Sequence, residues 1–151
     1  MTDVVTVERF IPAPAPAIFA LLTDPARHRD IDGSGTVRDP KETPERLVLG
    51  SEFGMSMKLG VPYSMVSKVI EYEPDRCIAW QTRGPGRIGG KAGGRIWRYE
   101  LEPREGGTLV RETWDIRDEA SVTRPVVRLS AKKTEANMIA TLERIEELLA
   151  T

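Results

Sequence analysis

The side chains best suited to chemistry fall on two adjoining strand-like segments. Across Thr108–Ile116, strict alternation places Glu112 on the same face as Val110 and Trp114, so a carboxylate shares its face with large apolar groups. If that face is inward, burial disfavours the charged form unless a partner compensates. Across Arg95–Glu102, Trp97, Tyr99 and Leu101 alternate on one face. Arg95 or Arg98 can turn inward, depending on register. With Trp97 inward, Arg95 shares its face and is the expected partner of Glu112. Such a carboxylate makes a structural ion pair, orients a ligand, or moves a proton while Tyr99 or Arg95 stabilises an enolate.

Other chemistries find little support. His28 is the only histidine and cannot by itself build a three-ligand zinc site; its expected role is to cap or pack a short helix. No Gly-x-Ser-x-Gly elbow accompanies it. Cys77 is the only cysteine, which excludes an internal disulfide and reads as a buried thiol. Gly84-Pro85-Gly86-Arg87-Ile88-Gly89 matches Gly-x-Gly-x-x-Gly, but a strand follows it and no helix N-terminus is there to hold a pyrophosphate. The segment Gly84–Gly94 is expected as a glycine-rich loop, either plain surface or a flap. No metal and no cofactor is expected.

These residues need a scaffold, and the periodicities describe one. Val4–Phe10 reads as a strand that Pro12 ends, because proline has no N–H to donate. A short helix follows, with Pro14 or Pro16 in its first turn and Ile18, Phe19, Leu21 and Leu22 as its apolar face. Thr23-Asp24-Pro25 stops it and caps a second short helix through His28. Asp32–Gly35 is a turn into a strand at Thr36–Arg38, and Pro40–Glu45 a polar loop. In Leu47–Leu59, Phe53, Met55, Met57 and Leu59 alternate with smaller or polar residues. Gly60-Val61-Pro62 turns into Tyr63–Tyr72, which forms a hairpin with Arg76–Arg83. After Thr108–Ile116 the period becomes helical: Val127, Ala131, Thr134, Met138, Leu142, Ile145 and Leu149 form one face of a helix of roughly 25 residues. Successive hairpins with helices at the two ends describe an α+β domain around one antiparallel sheet.

The chain of 151 residues, with 30% charged and 40% hydrophobic residues, fits a single domain over 1–151. A net charge of -1 offers nothing to nucleic acid. No apolar run approaches the roughly 20 residues of a membrane helix, and no signal peptide is expected, so a cytoplasmic location is the reading.

The order of elements, with several motifs, resembles the START-like or SRPBCC superfamily, in particular its polyketide cyclase/dehydrase-like branch. The matching residues are Pro12-Ala13-Pro14-Ala15, Ile18-Phe19, Asp24-Pro25 and His28; then Val69, Glu71-Tyr72-Glu73-Pro74 and Ile78-Ala79-Trp80; then Trp97, Tyr99, Leu101, Pro103, Gly107-Thr108, Glu112 and Trp114-Asp115. The resemblance implies a helix-grip fold: a curved seven-stranded antiparallel sheet wrapped around the long C-terminal helix, with two short helices after strand 1 and a hydrophobic cavity inside. The expected ligand-binding set is Phe53, Met55, Met57, Arg95, Trp97, Tyr99, Glu112, Trp114, Ala131, Thr134 and Met138, with Ala131 and Thr134 small enough to leave space. The expected function is binding of a small hydrophobic molecule (lipid, polyketide or aromatic) as carrier or sensor. The alternatives are a cyclase or dehydratase using a cavity carboxylate, and a regulatory module with an unspecified protein partner.

Overall fold

The computed structural model describes residues 3–32, 37–41, 46–59, 61–84 and 93–150. The expected glycine flap, the turn after Asp32, most of the polar loop and Gly60 lie outside them. The strands are β1 (Val4–Ile11), β2 (Val37–Lys41), β3 (Glu52–Leu59), β4 (Val61–Glu73), β5 (Cys77–Arg83), β6 (Gly93–Arg104) and β7 (Gly107–Asp115). They form one seven-stranded sheet in the order β1-β7-β6-β5-β4-β3-β2, each neighbouring pair antiparallel. Consecutive strands from β2 to β7 are simple neighbours, and the two short helices carry the chain from one sheet edge to the other.

Between β1 and β2 lie α1 (Ala15–Leu22), a 3₁₀ turn (Pro25–Arg27) and α2 (His28–Ile31). Pro14 caps α1 and Pro16 sits in its first turn, where a missing N–H costs nothing. The Thr23 hydroxyl ends α1 by donating to the Phe19 carbonyl at 2.9 Å. The Asp24 carboxylate then accepts from the Ala26 N–H at 3.1 Å, which starts the 3₁₀ turn.

The C-terminal helix is interrupted. Residues Arg124–Arg128 form α3 and Ala131–Leu149 form α4 of 19 residues. At the break the Ser130 N–H and hydroxyl both go to the Val127 carbonyl, at 3.0 and 2.7 Å, which tightens the chain into a 3₁₀-like turn. The uninterrupted helix expected from the apolar spacing is thus corrected to a short one and a long one. Met138, Leu142 and Ile145 are buried in the core, each worth about 1.5–3 kcal/mol of burial. Val127 and Ala131 pack against that core while remaining half-buried. The helix α4 lies against β1, α1 and α2.

Register fixes which side chains meet under the helices. One cross-strand row reads Val5, Trp114, Trp97, Trp80, Val69; the next reads Val7, Glu112, Tyr99, Ile78, Tyr72. A third holds Phe53, Ser67, Thr82 and Arg95. On the opposite face Arg98 pairs with Glu71 and Arg111 with Glu8.

Strand β6 begins on two glycines with positive φ, Gly93 at 93° and Gly94 at 115°. A Cβ on Gly94 would stand 2.4 Å from the Asp118 carbonyl oxygen. Both the conformation and the close approach therefore require glycine. Gly94→Ala is expected to destabilise the protein by on the order of 3 kcal/mol in urea unfolding. A loss below about 0.5 kcal/mol would show that this junction yields without strain.

Candidate ligand site between sheet and helices

The polar centre of the interior is Glu112, 2% exposed on β7. Its direct cross-strand neighbour on β6 is Tyr99. The Tyr99 hydroxyl donates to Glu112 Oε2 at 3.0 Å, and the other oxygen, Oε1, is buried with no hydrogen-bond partner among the described residues. Burial pushes the Glu112 carboxyl up to about 8; the Tyr99 hydrogen bond opposes the rise and the charge of Asp32 adds to it. Burial, then the charge of Glu112, holds the Tyr99 phenol well above its ordinary value. At neutral pH the pair is a carboxylic acid beside a phenol, without net charge.

From Tyr99 a tier of rings runs toward α2. Tyr99 meets Trp80 with centroids 5.7 Å apart, Trp80 stacks on His28 at 5.2 Å, and Phe53 touches both His28 and Trp80 edge-on at 5.5 and 5.6 Å. These are favourable aromatic geometries. His28 is the first residue of α2, and its Nε2 lies 2.8 Å from the Leu22 carbonyl. Burial lowers its affinity for a proton, so the ring is neutral and Nε2–H is the donor to that carbonyl. Trp97 meets Trp114 at 6.4 Å in the adjoining row. Trp114 and Met138 are each 1% exposed and close the inner end; Trp80, Trp97, Ala131 and Thr134 are half-buried at the outer end.

The expected partner of Glu112 is corrected. Trp97 does share its face with Trp114, and Arg95 does share the face of Trp97, but Arg95 turns to Glu119. Its Nε and Nη2 each donate to that carboxylate at 3.3 Å. Glu119 is 1% exposed and also accepts from the Thr123 hydroxyl at 2.6 Å. Of the expected set, Phe53, Trp97, Tyr99, Glu112 and Trp114 share one face of the sheet, and Ala131, Thr134 and Met138 lie on α4. The side chains of Met55 and Met57 lie outside the described residues. Sequence reasoning left His28, Asp32 and Trp80 out of the site. The bulk of Trp80 two residues from Ile78 was the available signal for its face; nothing local marks the approach of α2.

Two clefts open elsewhere on the described surface. One of about 470 Å³ is lined by Pro12–Pro16 and by Pro103, Arg104, Gly106 and Gly107; one of about 230 Å³ is lined by Glu73, Arg76, Cys77 and residues of β6 and β7. Neither reaches Glu112.

The raised Glu112 value has a consequence for stability. A group whose pKa rises on folding, here from 4.5 to about 8, stabilises the fold fully below its unfolded value and loses that contribution as pH rises through its folded value. Between about pH 4.5 and pH 8 the native protein should therefore lose on the order of 3–5 kcal/mol relative to Glu112→Gln, read by urea unfolding. A constant difference across that range would mean that Glu112 is ionised throughout.

Comparison with known proteins agrees with this architecture. The chain is 34% identical over 146 residues to the uncharacterized protein Rv0088 of Mycobacterium tuberculosis, covering 93% of this chain and 61% of that one. It thus spans about three-fifths of that relative. Among solved structures it resembles protein CV1439 from Chromobacterium violaceum, with a TM-score of 0.76, 15% identity, and 100% and 99% of the two chains covered. It also resembles DynU16, a putative protein of the dynemicin biosynthetic locus, with a TM-score of 0.69, 15% identity, and 100% and 48% covered. At those identities the likeness establishes the helix-grip fold. The family model described as polyketide cyclase/dehydrase and lipid transport matches residues 2–150, and the chain belongs to that family.

Proposed function

We propose that the protein binds a small, apolar, ring-bearing molecule between α2, α4 and the sheet. The observation that carries this reading is the ring tier of Phe53, His28, Trp80 and Tyr99, buried except for the half-buried Trp80, which ends at a buried carboxyl with one oxygen unpartnered among the described residues. Ligand sites commonly pair an apolar wall with a few convergent polar groups. Here the wall is aromatic, and the polar end is a single pair, Tyr99 and Glu112. That arrangement suits a carrier or sensor. Turnover at the same carboxyl is the second reading, favoured because a group that titrates near neutrality suits proton transfer.

The helix contributes small residues where the sheet contributes large ones. Ala131 and Thr134 are half-buried on α4, and Ala131 packs against the core. If the space beside them admits a ligand, Ala131→Leu fills it. Melting temperature should then hold or rise, because each added methylene can gain up to ~0.8 kcal/mol of burial. Binding of the neutral dye N-phenyl-1-naphthylamine, read by its fluorescence, should be lost. In a solid core the same change would destabilise by ~1–3 kcal/mol. A folded native protein that binds no such dye, with Ala131→Leu destabilised, would overturn the proposal.

A further inference from the structure

We propose that the outward face of α4 is an interface with a second copy of this chain, the two helices lying antiparallel about a two-fold axis near Ile139. The inward face of α4 carries Met138, Leu142 and Ile145 into the core. The outward face carries Lys133, Ala136, Ala140, Glu143 and Glu147 at alternating three- and four-residue spacing, which makes one seam along the helix. All are exposed except Ala140, which is half-buried. Ile139 flanks the middle of the seam and is 45% exposed, with the exposed Lys132 one heptad earlier on the same side. Ala131 and Thr134, which border the ligand site, lie on the other side of the helix, so this proposal stands independently of the binding reading.

The charges on this face are misplaced for a helix that stands alone. Lys132 and Lys133 lie in the first turn, at the positive end of the helix dipole, with no acidic residue beside them there. Glu147 lies in the last turn, at the negative end, with no basic residue beside it there. Glu143 and Glu147 stand one turn apart, where like charges repel. None of these side chains has an ion-pair partner among the described residues. A second helix running the opposite way corrects each fault. With Ala136 opposite Ala140 of the second copy, Lys133 stands opposite Glu143, and the basic end of each helix lies along the acidic end of the other. Ile139 then meets its own symmetry mate, and the alanines let the backbones approach. Glu135 and Arg144 fall to either side of the seam. A parallel pair would set lysine against lysine. A purely acidic partner would answer only the lysines and a basic one only the glutamates, whereas a second copy answers both.

Sedimentation equilibrium of the native chain from about 5 to about 500 μM reads the association; one helix pair is a small interface, so a micromolar dissociation constant is expected. The dimer should weaken as NaCl rises from about 0.05 to about 0.5 M, because exposed charge pairs are screened. Paired charge variants test the register: Lys132→Glu with Lys133→Glu in one chain, and Glu143→Lys with Glu147→Lys in another. Alone, each sets like charges against each other at both ends of the pair and should raise the dissociation constant at least about tenfold; mixed, the two should form a heterodimer. Ile139→Arg, at the axis, should give a monomer in low and high salt alike. All these positions are exposed, so the variants should keep the native circular dichroism spectrum. A native chain that stays monomeric at the highest concentration would overturn the proposal. If that monomer instead sediments with phosphatidylglycerol vesicles, the exposed Val122, Val126 and Leu129 beside this face serve a lipid surface, and the proposal also fails. A dimer that survives both Ile139→Arg and the charge variants would be built elsewhere and would overturn the assignment to α4. Folded charge variants that stay apart when mixed would overturn the pairing of lysine with glutamate.

Discussion

A carboxyl group sits where an apolar side chain would be cheaper, and much of the interior is arranged around it. The register of β6 against β7 sets Tyr99 directly opposite Glu112. Because side chains alternate with a period of two, a slip of one residue would send both to the outer face, together with Trp97, Leu101, Val110 and Trp114. The pair therefore stands or falls with the core. Its solution to burial is neutrality. Tyr99 satisfies one oxygen, and proton uptake removes the charge that the apolar cluster around Trp114, Met138 and Ile145 would oppose. A salt bridge to Arg95 would have carried two charges into the same space and kept both there.

Arg95 instead fastens the edge of the site. Its partner Glu119 is buried, accepts from Thr123, and lies in the segment that joins the sheet to α3. The backbone reinforces the junction: the Ala120 N–H donates to the Gly93 carbonyl at 2.7 Å, and the guanidinium of Arg124 donates to the Glu119 carbonyl oxygen at 2.8 Å. Buried ion pairs are weak evidence of stability, since desolvation offsets much of their attraction. Their effect is on specificity of placement, and here the thing placed is the start of β6, through Arg95, two strand positions before Trp97. The glycine pair supplies the backbone that lets Asp118 and Glu119 come so close.

The legible and illegible parts of the chain divide along the range of the interactions. The alternation of Val110, Glu112 and Trp114 put the carboxyl on the inner face, and the alternation of Trp97, Tyr99 and Leu101 put the phenol beside it; both follow from one strand's own sequence. The partner of Arg95 did not, because Glu119 comes from beyond the last strand and reaches Arg95 only through the positive-φ bend at Gly93-Gly94. The apolar spacing from Val127 to Leu149 carried straight through Ser130, although serine competes for backbone carbonyls and here takes that of Val127. His28 illustrates the same limit. Its link to Leu22 spans six residues and was within reach of local reasoning, while its stacking on Trp80 depends on α2 folding back over β5.

The position of His28 bears on whether the site can do more than hold a ligand. Acid–base catalysis usually needs two groups that exchange protons with the substrate, with values pushed apart by their surroundings. The interior contains an acid in Glu112 and a nearby imidazole, which superficially fits. The imidazole, however, has its Nε2–H committed to the Leu22 carbonyl, lies flat against Trp80, and has its protonated form suppressed by burial. Those contacts make it a rigid wall rather than a proton acceptor that comes and goes. Glu112 is different: one oxygen is anchored by Tyr99 and the other is uncommitted. Any proton chemistry at this site therefore converges on a single carboxyl. A lone acid of this kind can donate a proton to a substrate, but turnover needs a second group to take the proton that is lost. The same geometry serves binding without any such requirement, which is why the arrangement suits holding a ligand better than converting one.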